Sequence, residues 1–289
     1  MTTTGTLLCV HPHPDDESIS CGGVLARAVA QGRRAVVVTC TGGEEGENLA
    51  GIDLEGRTFP EVRRQELADA LAILGVAHHL YLGYRDSGMA GTPANEHPDS
   101  FHQADLDEAA TKLAQVIRRE RPDVVVSDDE RGSYGHPDHI KAHLVTVRAV
   151  ELAADADAPI DGEPWRVAKR YVHAIGRGRL IAMHQSMLEA GLPSPFGQEA
   201  IDPADLTFGA EDATITTEVD ISDHLEEKRA ALAAHRSQIG PESFFLNTPD
   251  DLAHAAFALE QFVLEVGELG PTRPETDLFD GLVPDRREP

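Results

Sequence analysis

The chain has 289 residues, 41% hydrophobic and 26% charged, with 50 acidic against 25 basic side chains and a formal net charge of −25 at pH 7. That charge repels nucleic acid and anionic membrane surfaces, and no apolar run approaches the roughly 20 residues a bilayer requires. The N-terminus lacks the basic region and apolar core of a signal peptide, which points to the cytoplasm; Cys9, Cys21 and Cys40 are too few and too badly spaced for a disulfide framework or a cysteine zinc site.

Along the chain, strand and helix signals alternate. Apolar, β-rich runs stand at Leu7–Val10, Ala35–Cys40, Leu80–Leu82, Val124–Ser127 and Tyr171–Ile175. Helical spacing is expected over Gly22–Ala30, Val62–Leu74, Leu106–Arg119 and His139–Ala153, with Asp105 as an N-cap and Gly75 closing the second of these. Such alternation predicts an α/β fold: a Rossmann-like, mostly parallel sheet with helices on both faces. After a polar loop at Asp155–Pro164 the signals weaken. A strand or two is expected within Asp202–Asp220, best at Thr214–Val219; helices are expected over Leu225–His235 and Leu252–Val266, and an extended tail from Gly270. We read residues 1–289 as a single domain, with a core over 1–180 and a C-terminal elaboration over 181–289.

Two clusters concentrate the chemistry. His11-Pro12-His13-Pro14-Asp15-Asp16-Glu17 follows the first apolar run, and His136-Pro137-Asp138-His139 follows the fourth. Imidazoles and carboxylates together suit zinc or a similar first-row ion, and a three-ligand site leaves a position open for water. Ligands in parallel sheets bind beyond the carboxyl ends of the strands, where both clusters stand. Either cluster alone is more often a solvated turn or helix cap than a metal site; it is their pairing at strand ends that points to one metal site. Other motifs fail: Gly176-Arg177-Gly178 lacks the third glycine of a dinucleotide fingerprint, and there is no Gly-x-Ser-x-Gly elbow.

His13-Pro14-Asp15-Asp16-Glu17, Gly43-Glu44-Glu45-Gly46-Glu47, Arg85-Asp86-Ser87-Gly88-Met89 and Gly135-His136-Pro137-Asp138-His139, in this order, resemble the LmbE-like, or PIG-L-type, N-deacetylase superfamily. The resemblance covers about the first 150 residues and, more loosely, Lys228–Gln238, and is nearest to the actinobacterial mycothiol enzymes. It implies a zinc ion held by His13, Asp16 and His139, with Asp15 as general base. His136 would stabilise the oxyanion or protonate the leaving amine. Iron(II) would accept the same ligands. Glu47 matches a sugar-contacting carboxylate of that pattern, with a solvated loop acid as the alternative, and Arg63 or Arg64 resembles an arginine that binds the polar aglycone. Asp86 suits sugar hydroxyls but could cap the turn at Ser87-Gly88, and Tyr134 could lend its phenol to the oxyanion or stand as a rim aromatic. Glu17 reads as a supporting residue or a first-turn helix charge, His11 as a supporting residue or a simple bridge from strand to loop, and His143 as a helix-face residue.

The function implied is hydrolysis of the N-acyl amide of a GlcNAc-type amino-sugar conjugate, as in N-acetylglucosaminyl-inositol deacetylation. One alternative is a mycothiol S-conjugate amidase or natural-product-tailoring amidase. Ser20 or Cys21, where those amidases tend to carry a lysine, and Gly135, where they tend to carry proline, favour the deacetylase. A non-catalytic sugar- or metal-binding protein is the alternative of another class. The partner is then a small-molecule amino-sugar conjugate, and a homo-oligomer stays open.

Overall fold

Seven strands, β1 (Thr6–His11), β2 (Arg34–Thr41), β3 (His78–Tyr84), β4 (Val124–Ser127), β5 (Lys169–Ala174), β6 (Thr217–Asp220) and β7 (Leu259–Val266), form one sheet in the order β3-β2-β1-β4-β5-β7-β6. The first five are parallel; β7 pairs antiparallel with both β5 and β6. The computed structural model describes residues 5–282 apart from 193, 195, 198, 200, 202–205 and 207. Eight helices connect the strands among the described residues: α1 (Asp16–Ala30), α2 (Phe59–Ile73), α3 (Leu106–Glu120), α4 (Pro137–Ala154), α5 (Arg177–Glu189), α6 (Leu225–Ala234), α7 (Phe244–Asn247) and α8 (Asp250–Phe257).

The period-2 alternation of the strands feeds two cores. Leu7, Cys9, Val37, Val124 and Val126 pack on one face with α1, α2 and α6, while Leu8, Val10, Val36, Val38 and Val125 pack on the other with α3 and α4. Both faces are covered, which is why these strands are apolar without interruption. Asp105 caps α3 by accepting the Glu108 amide at 2.9 Å, and Gly75 follows α2 at φ 73°, a left-handed conformation that favours glycine. The three cysteines are free and buried.

The C-terminal third departs from expectation. Leu252–Val266 is not one helix: α8 stops at Phe257 and the rest is β7, because an open edge of β5 and the short β6 supply backbone partners on both sides. The tail from Gly270 is not extended either. It folds back so that the buried Glu275 carboxylate receives the Lys169 ammonium at 2.5 Å and the Tyr171 hydroxyl at 2.7 Å. Within 202–220, β6 realises the expected strand, while residues 202–205 and 207 lie outside the described residues, as does the tail beyond 282. Helix α5 was not expected from the sequence. Among the described residues no helix is long and apolar enough to cross a membrane.

Candidate metal centre and active site

The order β3-β2-β1-β4-β5 reverses direction between β1 and β4, and the two clusters extend from the carboxyl ends of those neighbouring strands. Beyond His11 the chain turns through Pro12–Asp15 into α1. His13 Nδ1 then stands 3.3 Å from Asp16 Oδ2, and His139 Nε2 stands 3.6 Å from the same oxygen. One ligand atom from each residue lies within 4.8 Å of the other two.

What surrounds these three atoms matches a metal site. The other nitrogen of each ring is held by a carboxylate: His13 Nε2 is 3.2 Å from Asp138 Oδ2, and His139 Nδ1 is 2.6 Å from Asp128 Oδ1. Each ring therefore turns its remaining nitrogen toward Asp16. His139 Nε2 is buried without a hydrogen-bond partner among the described residues, an orphan that a cation would satisfy. The surroundings also draw positive charge. Burial opposes protonation of His139, yet Asp128 and Asp16 outweigh it and lift the imidazole to about 9; burial likewise opposes His13, which Asp138, Asp16 and Asp86 raise well above its ordinary value. Asp16 is held low by His139 and His13 despite its burial. His13 can also be grouped with Asp86, His136 and Asp138; its Nε2 stands 3.5 Å from Asp86 Oδ1 and 3.2 Å from Asp138 Oδ2.

Asp15 sits beside this cluster without joining it. As N-cap of α1 it adopts φ 119° and ψ −30°, a conformation that L side chains rarely take and that stores strain. Its carboxylate lies 3.2 Å from Arg63 Nη2, whose guanidinium also donates to the Pro14 and Gly43 carbonyls at 2.6 and 3.0 Å. Burial raises Asp15 to about 6, with Arg63 pulling the other way and Asp16 adding to the rise. His136 is the N-cap of α4, its Nδ1 accepting the Asp138 amide at 3.1 Å, so its ring proton is on Nε2. Burial and neighbouring His13 push His136 down to about 4, leaving it neutral at pH 7. Tyr134 is largely exposed, with its ring 5.3 Å from that of His139 and 6.1 Å from that of His136.

A cavity of about 400 Å³ opens over the cluster, lined by His13, Asp15, Asp16, His136, His139 and Tyr134, with Arg63 and Asp86 also in its wall. Asp86 does cap the turn, accepting the Gly88 amide at 2.8 Å, and also takes the Glu45 amide at 3.2 Å. Glu47 is exposed and not part of the wall; Glu45 and Gly46 line it instead, with Gln238, which donates to the Glu47 carbonyl at 2.7 Å. Arg64 lies over the Tyr81 ring, away from the cavity. Glu17 is turned inward to His235 Nε2 at 2.8 Å, and His143 Nδ1 meets the Asp128 carbonyl at 3.0 Å. His11 is buried beside the Cys9 and Cys21 thiols.

Sequence reasoning missed the supporting roles of four residues in this region. Asp128 joins His139 to His173 through one oxygen, the latter at 3.0 Å; Asp138 supports His13 and is itself held by the Ser87 amide at 2.9 Å and the Ser87 hydroxyl. Asp128, directly after the fourth apolar run, occupied a strand end like the two clusters, a signal that could have found it. His173 is interior to β5 and offered none.

The family model described as "PIG-L: GlcNAc-PI de-N-acetylase" matches residues 8–150. A 1D-myo-inositol 2-acetamido-2-deoxy-alpha-D-glucopyranoside deacetylase of Catenulispora acidiphila is 46% identical, covering 97% of this chain and 90% of its own; the enzyme of the same name from Thermobispora bispora is 44% identical, covering 96% and 98%. Among solved structures, the conserved protein TT1542 of Thermus thermophilus shares the fold at 28% identity and a TM-score of 0.58, covering 93% of this chain and 97% of its own. The chain therefore belongs to the PIG-L, GlcNAc-PI de-N-acetylase, family and is an N-deacetylase.

Proposed function

We propose that the protein hydrolyses the acetamide of a glucosaminyl-inositol conjugate, releasing acetate and the free amine, with His13, Asp16 and His139 as the ligands of a zinc ion. A divalent ion bound there would supply Lewis-acid polarisation of the carbonyl and acidify a water molecule. Asp15, unligated and raised toward neutrality, accepts the proton of the attacking water and returns it to the departing nitrogen; Arg63 keeps its carboxylate aimed into the cavity. His136 offers Nε2–H to the oxygen that gains charge. A neutral imidazole suits that hydrogen bond better than it suits protonating an amine. Asp86 and Glu45, on the β2 and β3 side of the cavity, accept sugar hydroxyls.

The observation that carries this reading is the unpartnered, buried His139 Nε2 turned toward Asp16 and His13, with the Asp15 carboxylate, held by Arg63 and outside that cluster, in the same cavity. The likeness to named glucosaminyl-inositol deacetylases over nearly the full chain supports the substrate. The test is acetate release from N-acetylglucosaminyl inositol by the zinc-loaded protein; no release, with one zinc bound per chain, rejects it.

A further inference from the structure

An apolar cavity of about 290 Å³ adjoins the catalytic one, and Ile19, Ser20, His173, Ala174, Ile175 and Phe208 line both. Aromatic side chains are scarce in this chain, yet five of its nine phenylalanines, Phe196, Phe208, Phe244, Phe245 and Phe257, converge on this cavity. Three of them form a cluster with ring centroids 4.0 to 5.9 Å apart. Most polar groups on its wall already have partners: Lys228 Nζ pairs with Glu260 Oε1 at 2.6 Å, Glu260 also accepts the Gly23 and Val24 amides, Gln261 bonds the Gly176 amide and Glu218, His173 meets Asp128, and Arg179 donates to the Ala255 and Ala256 carbonyls. This cavity calls for an apolar occupant.

We propose that it is a subsite for the acyl half of the substrate, and that the enzyme cleaves amides of apolar acyl groups larger than acetyl. The inference rests on the deacetylase reading. An acetyl methyl occupies about the volume of one water, ~30 Å³, and so fills about a tenth of the cavity. The sheet order decides which half of the substrate enters. The acids suited to sugar hydroxyls, Glu45 and Asp86, follow β2 and β3, the ligand cluster stands at β1 and β4, and the apolar cavity begins at the end of β5. An amino sugar with its hydroxyls toward β3 and its amide over the cluster points its acyl chain toward β5. The chemistry is unchanged: water oxygen bonds to the acyl carbon, the carbon–nitrogen bond breaks, and the proton lost by water goes to the amine.

The experiment compares N-acetyl-, N-butanoyl- and N-hexanoyl-glucosaminyl inositol with the zinc-loaded wild type and with Ala256→Phe, a change that fills the apolar cavity from α8. Each methylene buried strengthens binding roughly fourfold, so the metal-free wild type should bind the hexanoyl compound at least about tenfold more tightly than the acetyl compound by calorimetry. Its kcat/KM, zinc-loaded, should equal or exceed that for acetyl. Ala256→Phe should cut the hexanoyl value at least about tenfold and leave the acetyl value within about twofold, by the same methylene arithmetic. Met183→Trp, filling the cavity from α5, serves if the first variant misfolds. Acetyl turnover with no hexanoyl cleavage and no tighter hexanoyl binding overturns the subsite and leaves the deacetylase reading intact. Tighter hexanoyl binding that the filled variant abolishes, with no amide cleaved at all, keeps the subsite and rejects the hydrolase.

Discussion

Asp15 combines three properties in one residue: a positive φ, a half-buried carboxylate and an arginine partner. Strain of this kind costs on the order of 1–3 kcal/mol and persists only where surrounding contacts over-determine it. Replacing the carboxylate should cut kcat by roughly 10³-fold while one metal ion per chain is retained, the range expected of a lost general base. Two such variants separate catalysis from strain. Asp15→Gly should be more stable than Asp15→Ala by about 1 kcal/mol in urea unfolding, since only glycine adopts φ 119° freely; equal stabilities would show the backbone is not strained. Asp128 acts one shell further out, through the Nδ1 of His139. Asp128→Asn should weaken zinc binding about 10- to 100-fold in a chelator competition, and unchanged affinity would reject its orienting role.

At the scale of elements, the buried Lys228–Glu260 pair joins α6 to β7, and the Gly23 and Val24 amides extend that link into α1. Removing one partner strands the other as a buried charge. Glu260→Leu alone should destabilise by about 3–5 kcal/mol, and Lys228→Met added to it should recover much of the loss; additive losses in a double-mutant cycle would exclude the coupling. The same segment shows where sequence reading failed. Leu252, Ala256, Val263 and Val266 offer apolar residues at helix-like intervals, and nothing local marks the break at Phe257. Pairing with β5 and β6 decided it, a partnership between segments far apart in the chain. Helices α2, α3 and α4 were legible because each buries one stripe of residues against a sheet face, which fixes their periodicity locally.

For the molecule as a whole, metal and protons compete for the same atoms. In the metal-free protein His139, raised to about 9, carries a proton at neutral pH. Binding zinc at pH 7.5 should therefore release protons, and affinity should rise as pH climbs toward about 9. Titrations in buffers of different ionisation enthalpy measure this; heats independent of buffer would show the imidazoles already neutral. From sequence alone the parallel core and the placing of the two His/Asp clusters at strand ends could be read, because both are written in short-range order: apolar runs, turn residues and polar clusters adjacent to them; the grouping of His13, Asp16 and His139 came from the family resemblance. Tertiary structure alone decided the rest. Asp128 and Asp138 gain their roles from imidazoles on other segments and His173 from the Asp128 carboxylate, Glu47 is exposed and outside the cavity wall, and β6, the antiparallel β7 and the phenylalanine-lined cavity exist only once the C-terminal third has closed the sheet beside β5. Such roles depend on which surfaces meet across long stretches of chain, and no local pattern encodes that meeting.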